Sequence, residues 1–120
     1  MMTLEELYET NPDFFNKNWK GELMDGYIDV AIGPGWYPLV AELAKIAPKD
    51  TYTQCIKEKF GGLRCYINKA NEEYWKIDRK MEELSLKTCE QCGTMNNVTC
   101  EPSENTYWIR TLCEDCRNAG

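Results

Sequence analysis

Apolar side chains recur along the chain at two spacings, and together these predict an α+β fold. Apolar and polar residues alternate between positions 27 and 32, which is typical of a strand with one buried face. In segments 36–47 and 71–87 apolar residues recur every three or four positions, as in a helix with one buried side. A shorter helix is expected from Thr3 to about Glu9, because the Thr-Leu-Glu-Glu sequence there has the residues of a capping box.

Segments 52–60 and 63–68 flank Gly61-Gly62, which predicts a β-hairpin with a tight two-residue turn. Pairing Phe60 with Leu63 would place Glu58 on the apolar face, where a carboxylate needs a donor such as a backbone amide or a tryptophan N–H. The other face is basic and is either a solvated edge or a binding surface, with Lys57, Lys59, Arg64 and Tyr66 as its candidate binding residues. We therefore predict a small antiparallel sheet, made of the hairpin and one further strand and covered by two or three helices.

Two Cys-x2-Cys pairs separated by twenty residues predict a zinc ribbon in the last third of the chain. A two-residue spacer lets each pair supply two corners of a tetrahedron around the metal, and Gly93 can take the positive φ that such a turn needs. Strands are expected at 97–100 and 106–109, with a turn at 102–105 between them. The four predicted ligands of a structural Zn²⁺ are Cys89, Cys92, Cys113 and Cys116.

The helix predicted at 71–87 runs almost directly into the first cysteine pair. The chain is therefore expected to form an α+β core over residues 1–87 and a ribbon over 88–120 that is packed against the core. N-terminal aromatic residues are expected in this core or as a lid over the sheet, with an exposed binding patch as the alternative: Phe14, Phe15 and Trp19.

The cysteine pairs have alternative interpretations. Two disulfides would require an oxidising compartment, and the chain shows no signal-peptide pattern at its start, so reduced thiols are expected. A redox pair needs positive surroundings, whereas Glu90, Glu114 and Asp115 should raise the thiol pKa values. An iron site with the same ligands remains open. The remaining thiols Cys55 and Cys65 are expected to be plain buried side chains.

The composition of the chain narrows the classes of function that it could have. The chain has 120 residues, a net charge of −6 and no histidine. The missing histidine removes the commonest general base and the Ser-His-Asp mechanism, so we predict no enzyme activity and no small-molecule substrate. No apolar run reaches the roughly 20 residues of a membrane helix, which predicts a cytoplasmic protein without a membrane partner. An acidic chain is a poor general nucleic-acid binder.

Four segments resemble a family of small uncharacterised proteins of bacteriophages, prophages and their bacterial hosts. They are Gly-Trp-Tyr-Pro-Leu-Val from position 35, Lys-Glu-Lys-Phe-Gly-Gly-Leu-Arg from 57, Cys-Glu-Gln-Cys-Gly from 89 and Trp-Ile-Arg-Thr-Leu-Cys from 108. The similarity covers roughly residues 33–117; it implies a phage-type origin and a cysteine-rich C-terminal end, and it transfers no catalytic residue. The function predicted is a protein-binding factor that docks on a host protein complex and modulates or inhibits it. The alternative is a nucleic-acid-binding ribbon protein that uses the basic hairpin at 57–66.

Overall fold

A computed structural model describes residues 1–103 and 106–119 and confirms the α+β class. Within these residues no helix combines the length and apolarity needed to cross a bilayer. In this part of the chain, five strands form two small sheets beside five α-helices and a 3₁₀ turn at Pro34–Trp36. The elements are α1 (Leu4–Thr10), α2 (Pro12–Phe15), β1 (Val30–Ala31), α3 (Tyr37–Ile46), β2 (Thr53–Lys59), β3 (Gly62–Ile67), α4 (Glu72–Ser85), β4 (Val98–Pro102), β5 (Ile109–Cys113) and α5 (Glu114–Ala119).

Two helices begin at the residues that the sequence predicts. The amide of Glu6 donates to Oγ1 of Thr3 at 3.1 Å, and the amide of Tyr74 donates to Oδ1 of Asn71 at 2.8 Å. Each cap satisfies an amide that has no partner inside its own helix. Pro38 lies in the first turn of α3, where its missing N–H breaks no helical hydrogen bond.

The further strand that was predicted beside the hairpin is β1, which is shorter than predicted and runs parallel to β2. β1 pairs with β2 through Val30 and Ile56, so the sheet has the order β1-β2-β3 and only the β2–β3 hairpin is antiparallel. The prediction of an all-antiparallel sheet missed that α3 forms a crossover between β1 and β2, which is the usual connection of parallel strands. The strand is short because the amides of Ile28 and Gly33 donate outside the sheet, to Phe15 O and to Glu90 Oε2.

The hairpin turn consists of Phe60 and Gly61, not of the two glycines. Their φ angles are 53° and 83°, the positive values of a type I′ turn, and Glu58 lies opposite Leu63. The predicted pairing of Phe60 with Leu63 is therefore wrong by two positions. Such a shift leaves each side chain on its predicted face, because side chains alternate along a strand. The ribbon packs against Gly61, where a Cβ would lie 2.5 Å from Cys100 Sγ, and this long-range contact has no local sequence signal.

A single apolar cluster joins α1, α2, α3, α4 and the first sheet. Phe14 and Phe15 belong to it, as the core prediction expected, whereas Trp19 is 71% exposed and fits the alternative of an exposed patch. The fully buried large side chains of the cluster are Leu7, Phe15, Trp36, Val40, Leu43, Ile56 and Tyr74.

The two edges of the first sheet differ. α4 covers the edge at β3, since the Ser85 hydroxyl accepts from the amide of Leu63 at 2.9 Å and the Tyr74 hydroxyl donates to the carbonyl of Cys65 at 3.2 Å. The other edge is β1, and no described strand lies beyond it. One edge therefore has its backbone groups satisfied by a helix, and the other does not.

Candidate metal centre

The structure brings the four predicted metal ligands together. The sulfur atoms of Cys89, Cys92, Cys113 and Cys116 all lie within 4.8 Å of one another, close enough to coordinate one metal ion. The first pair lies in the turn after α4, and the second spans the end of β5 and the start of α5. Two short local segments, joined by a two-stranded hairpin, thus form one cluster.

In the ribbon, the second strand of the hairpin begins later in the sequence than predicted. β4 lies close to the predicted strand, but β5 begins at Ile109, where the prediction ended its strand. Before β5, Ser103 N donates to Trp108 O at 3.1 Å, and Trp108 N donates to Thr106 Oγ1 at 2.9 Å. Of the predicted turn at 102–105, positions 104 and 105 lie outside the described residues.

Backbone hydrogen bonds shape both cysteine turns. Gly93 has a φ of 84°, which confirms the predicted positive φ, and its amide donates to the Cys89 carbonyl at 2.9 Å. In the second turn the amide of Cys116 lies 3.4 Å from Cys113 Sγ. Amides that point at sulfur favour the thiolate, which is the form that binds metal.

The surroundings of Cys89 favour its thiolate. Burial opposes ionisation, but backbone hydrogen bonds from Cys113, Cys92 and Gln91 outweigh it and lower the pKa of Cys89 to about 6. The expectation that neighbouring acids would raise this pKa is therefore wrong for Cys89. The cause is the set of hydrogen bonds to the Cys89 sulfur, whose effect on the pKa exceeds that of burial.

The pKa values of two other thiols show why a cation would stabilise the ionised cluster. A hydrogen bond with Cys113, followed by burial, raises the pKa of Cys116. At Cys92 the Thr94 amide favours the thiolate, yet burial and the neighbouring sulfurs raise the pKa overall. Several thiolates at this distance repel one another, and a divalent cation removes that repulsion.

The core holds the first cysteine turn through backbone contacts at the Gly-Pro-Gly loop. The amide of Gly35 donates to the Glu90 carbonyl at 2.8 Å, and a Cβ on Gly35 would lie 2.1 Å from the Cys89 carbonyl oxygen. The indole of Trp36 donates to the Thr88 carbonyl at 2.8 Å. The sequence signal for this contact is a pair of glycines next to a tryptophan.

Glu90 faces the core and not the cysteines. It is 6% exposed, and its carboxylate accepts from the amide of Gly33 at 2.9 Å. Burial raises the pKa of Glu90, while this hydrogen bond and the positive charge of Arg110 favour its ionised form. The hydrogen bond from Gly33 joins the ribbon to the core and directs the carboxylate of Glu90 away from the sulfur cluster.

A second contact between core and ribbon involves Glu58. Its carboxylate accepts from the amide of Gly61 at 2.8 Å and from the indole of Trp108 at 2.9 Å. Both kinds of donor expected for this inward-facing carboxylate are therefore present. Trp108 nonetheless stays 64% exposed, so its ring is held in place while facing solvent.

The predicted basic face divides into open and paired residues. Lys57 and Lys59 are exposed, with their ammonium groups 5.8 Å from the ring centroids of Tyr66 and Phe60 respectively. The guanidinium of Arg64 is half-buried and forms an ion pair with Glu82 of α4. Of the four candidate binding residues, Arg64 therefore has a role inside the fold.

The other cysteines lie apart from the four-sulfur cluster. Cys65 is buried in the core, and burial raises its pKa to about 11, as expected for a plain buried thiol. Cys55 is half-buried, and Cys100 is exposed on β4.

Comparisons of the chain with protein-family models, curated proteins and solved structures gave no match.

Proposed function

We propose that the chain is a zinc-ribbon protein in which Zn²⁺ is structural, and that it acts by binding another protein. The observation that carries the metal assignment is the convergence of four cysteine sulfurs within 4.8 Å. Four thiolates in two short turns suit the tetrahedral geometry of zinc and leave no open coordination position for water. Iron is the competing occupant of such a set, since it accepts the same ligands.

Metal analysis of the purified protein tests this assignment. We expect one zinc per chain, lost in Cys113→Ser and kept in Cys100→Ser, a matched control in the same hairpin. Stoichiometric iron would replace the zinc assignment, and a protein without either metal would overturn the site.

The same set of four sulfur ligands supports a non-enzymatic role. All four ligand positions are taken by sulfur, so the metal has no site for substrate. The chain contains no histidine to act as a general base or as a ligand of an open zinc site.

Exposed aromatic side chains on a chain of net charge −6 support a protein partner, because aromatic residues are enriched at protein interfaces. Trp108 and Trp19 are 64% and 71% exposed. The resemblance to phage and prophage proteins points to a host protein complex in the bacterial cytoplasm. Affinity capture from bacterial lysate, with and without nuclease, tests this: a protein partner should survive nuclease treatment.

The exposed pairs of lysine and aromatic ring on the hairpin favour nucleic acid as the second candidate. Lys57 over Tyr66 and Lys59 over Phe60 combine a cation with a stacking surface, as single-strand binders do. Affinity for an oligonucleotide should then fall steeply with salt, and Lys57→Ala with Lys59→Ala should flatten that dependence by up to two phosphate contacts.

A further inference from the structure

A cleft lies along the seam between the first sheet and the ribbon, on the side of the uncovered sheet edge. It measures about 520 Å³. Residues 30–32 and Lys57 line it from the sheet, and Glu90, Trp108 and Arg110 line it from the ribbon. The surface is therefore complete only when the ribbon is docked on the core.

Hydrogen bonds fix both ends of the edge strand β1 in this cleft, which favours its pairing with a strand of a partner. Before β1 the Ile28 carbonyl accepts from the Tyr8 hydroxyl at 2.7 Å, and after it the amide of Gly33 donates to Glu90 at 2.9 Å. Fixing both ends lowers the entropy that is lost when a second strand pairs with the segment between them. Because α4 covers the opposite edge at β3, strand addition to this sheet has one available side.

The hydrogen-bond donors of the cleft favour a ligand that carries a carboxylate. Its two carboxylates, on Glu58 and Glu90, already accept hydrogen bonds from Trp108 and from Gly33. Its two cations are Lys57 and Arg110, and within the described residues neither forms an ion pair. The two cations and two carboxylates of the cleft balance in charge, and Arg110 also attracts Glu90, so what the cleft offers a ligand is the hydrogen-bond donors of Lys57 and Arg110.

Trp108 supplies a fixed apolar surface beside these cations. The guanidinium of Arg110 lies 5.9 Å from the Trp108 ring centroid, and the indole N–H is held by Glu58. Tryptophan and arginine are the residues most often responsible for binding energy at protein interfaces. A tryptophan held in one orientation loses little side-chain entropy on contact.

We propose that this cleft binds an extended segment of a partner protein that carries a carboxylate next to an apolar side chain. The segment adds as a strand to the open edge of β1, places its apolar side chain against Trp108 and pairs its carboxylate with Lys57 and Arg110. This inference rests on the proposed protein-binding function and names the surface for it. A nucleic-acid strand fits less well, because it has no backbone amides to pair with the edge of β1.

Selection from a displayed library of random dodecapeptides on the metal-loaded protein tests the ligand chemistry. We expect the selected peptides to carry Asp or Glu beside an aromatic or aliphatic residue. Synthetic labelled copies are then titrated by fluorescence anisotropy, and backbone amide shifts should change at residues 30–32 and 108–110. The oligonucleotide (dT)12 is titrated in parallel, and its binding to these residues without peptide binding would overturn the proposal.

Variants with matched controls locate the site. Trp108→Ala and Arg110→Glu should each weaken the peptide about 30-fold or more. The controls Trp75→Ala and Arg79→Glu change an exposed tryptophan and an exposed arginine on α4, away from the cleft, and should stay within about twofold of wild type. Equal losses in the controls, or none in the cleft variants, would refute the assignment.

Methylation of the peptide backbone tests strand addition separately. In a paired strand alternate amides face the neighbour, so N-methyl groups at one set of alternate positions should weaken binding more than tenfold, and those at the other set should change it little. Equal effects at both sets would exclude strand pairing. A host protein that survives nuclease treatment and binds Trp108→Ala as tightly as wild type would keep the proposed function and reject this cleft.

Discussion

The core and the ribbon are stabilised in different ways. The core buries large apolar side chains from four helices and a sheet, whereas the buried apolar residues of the ribbon are Cys89, Leu112 and Cys113, two of them candidate metal ligands. Apart from the half-buried Val98, β4 is exposed along its length. A two-stranded hairpin with so little apolar burial is marginal in water, so we expect the ribbon to depend on a bound metal and on the core. The difference shows which region should fail first under each perturbation.

Removing one metal ligand should produce the largest effect and confine it to the ribbon. In Cys113→Ser we expect a loss on the order of several kcal/mol in the ribbon, because metal-binding energy there is largely folding energy. Hydrogen exchange should show lost protection at 98–113 and retained protection at 53–67. Cys100→Ser should behave as wild type. Equal loss of protection in both regions would mean that the two do not fold separately.

Disturbing the seam should come next. Gly35→Ala would place a Cβ 2.1 Å from the Cys89 carbonyl oxygen, so the loop and the cysteine turn must separate. We expect about 1–3 kcal/mol of destabilisation in urea unfolding, with loss of metal at a lower chelator concentration. Gly26→Ala is the matched control, since nothing lies within 4 Å of its added Cβ. A stable Gly35→Ala protein would show that the ribbon does not need this contact.

The half-buried carboxyl group of Asp78 on α4 should affect stability in a pH-dependent way. Burial, and secondarily Glu82, raise the pKa of Asp78 to about 6, against the opposing effect of Arg64. A raised carboxyl pKa means that ionisation opposes folding, so this contribution weakens the protein as pH rises from about 4 to about 6. Asp78→Asn should therefore match wild type near pH 4 and be more stable by about 1 kcal/mol at pH 7, allowing for solvent screening.

Urea unfolding at pH 4, 5, 6 and 7 measures this difference. Metal loss at low pH affects wild type and variant alike and cancels in the comparison. An advantage of Asp78→Asn that is the same at every pH would point to packing and not to charge.

The smallest effect is expected on the exposed face of the hairpin. Lys57→Ala with Lys59→Ala should change the free energy of unfolding by less than about 1 kcal/mol, since both side chains are exposed and have no carboxylate partner among the described residues. Arg64→Ala should cost more, because it leaves Glu82 without its ion pair. Thermal unfolding of the two proteins compares them directly, and the opposite order would contradict the division into open and paired residues.

Local patterns in the sequence predicted much of this fold. The helical stripe through Trp36 and Leu43, the caps at Thr3 and Asn71, and the two cysteine pairs each depend on residues a few positions apart. Such features are set by helix geometry and metal-ligand spacing, which a single sequence displays. The donors to Glu58 were also predictable, because an inward carboxylate requires them.

The features that the sequence did not predict are long-range contacts. The turn at Phe60-Gly61 is packed against Cys100, and the short parallel β1 depends on the α3 crossover and on bonds from Ile28 and Gly33 to distant residues. The contact of Gly35 with the first cysteine turn joins two backbones, with no side-chain pattern to reveal it. Each of these contacts depends on which distant segment packs at that position, and local periodicity in the sequence does not contain that information.

The bond between the Trp36 indole and the Thr88 carbonyl also has a consequence for biosynthesis. It spans 52 positions, so a ribosome delivers the donor several seconds before the acceptor, at roughly 5–20 residues per second. During that interval the nascent core has a tryptophan N–H without its final partner, and the cysteine turn that carries the acceptor takes shape only after the last ligand has emerged. Maturation of this chain should therefore be limited by metal delivery to an already collapsed core, and Trp36 emission should report the final step.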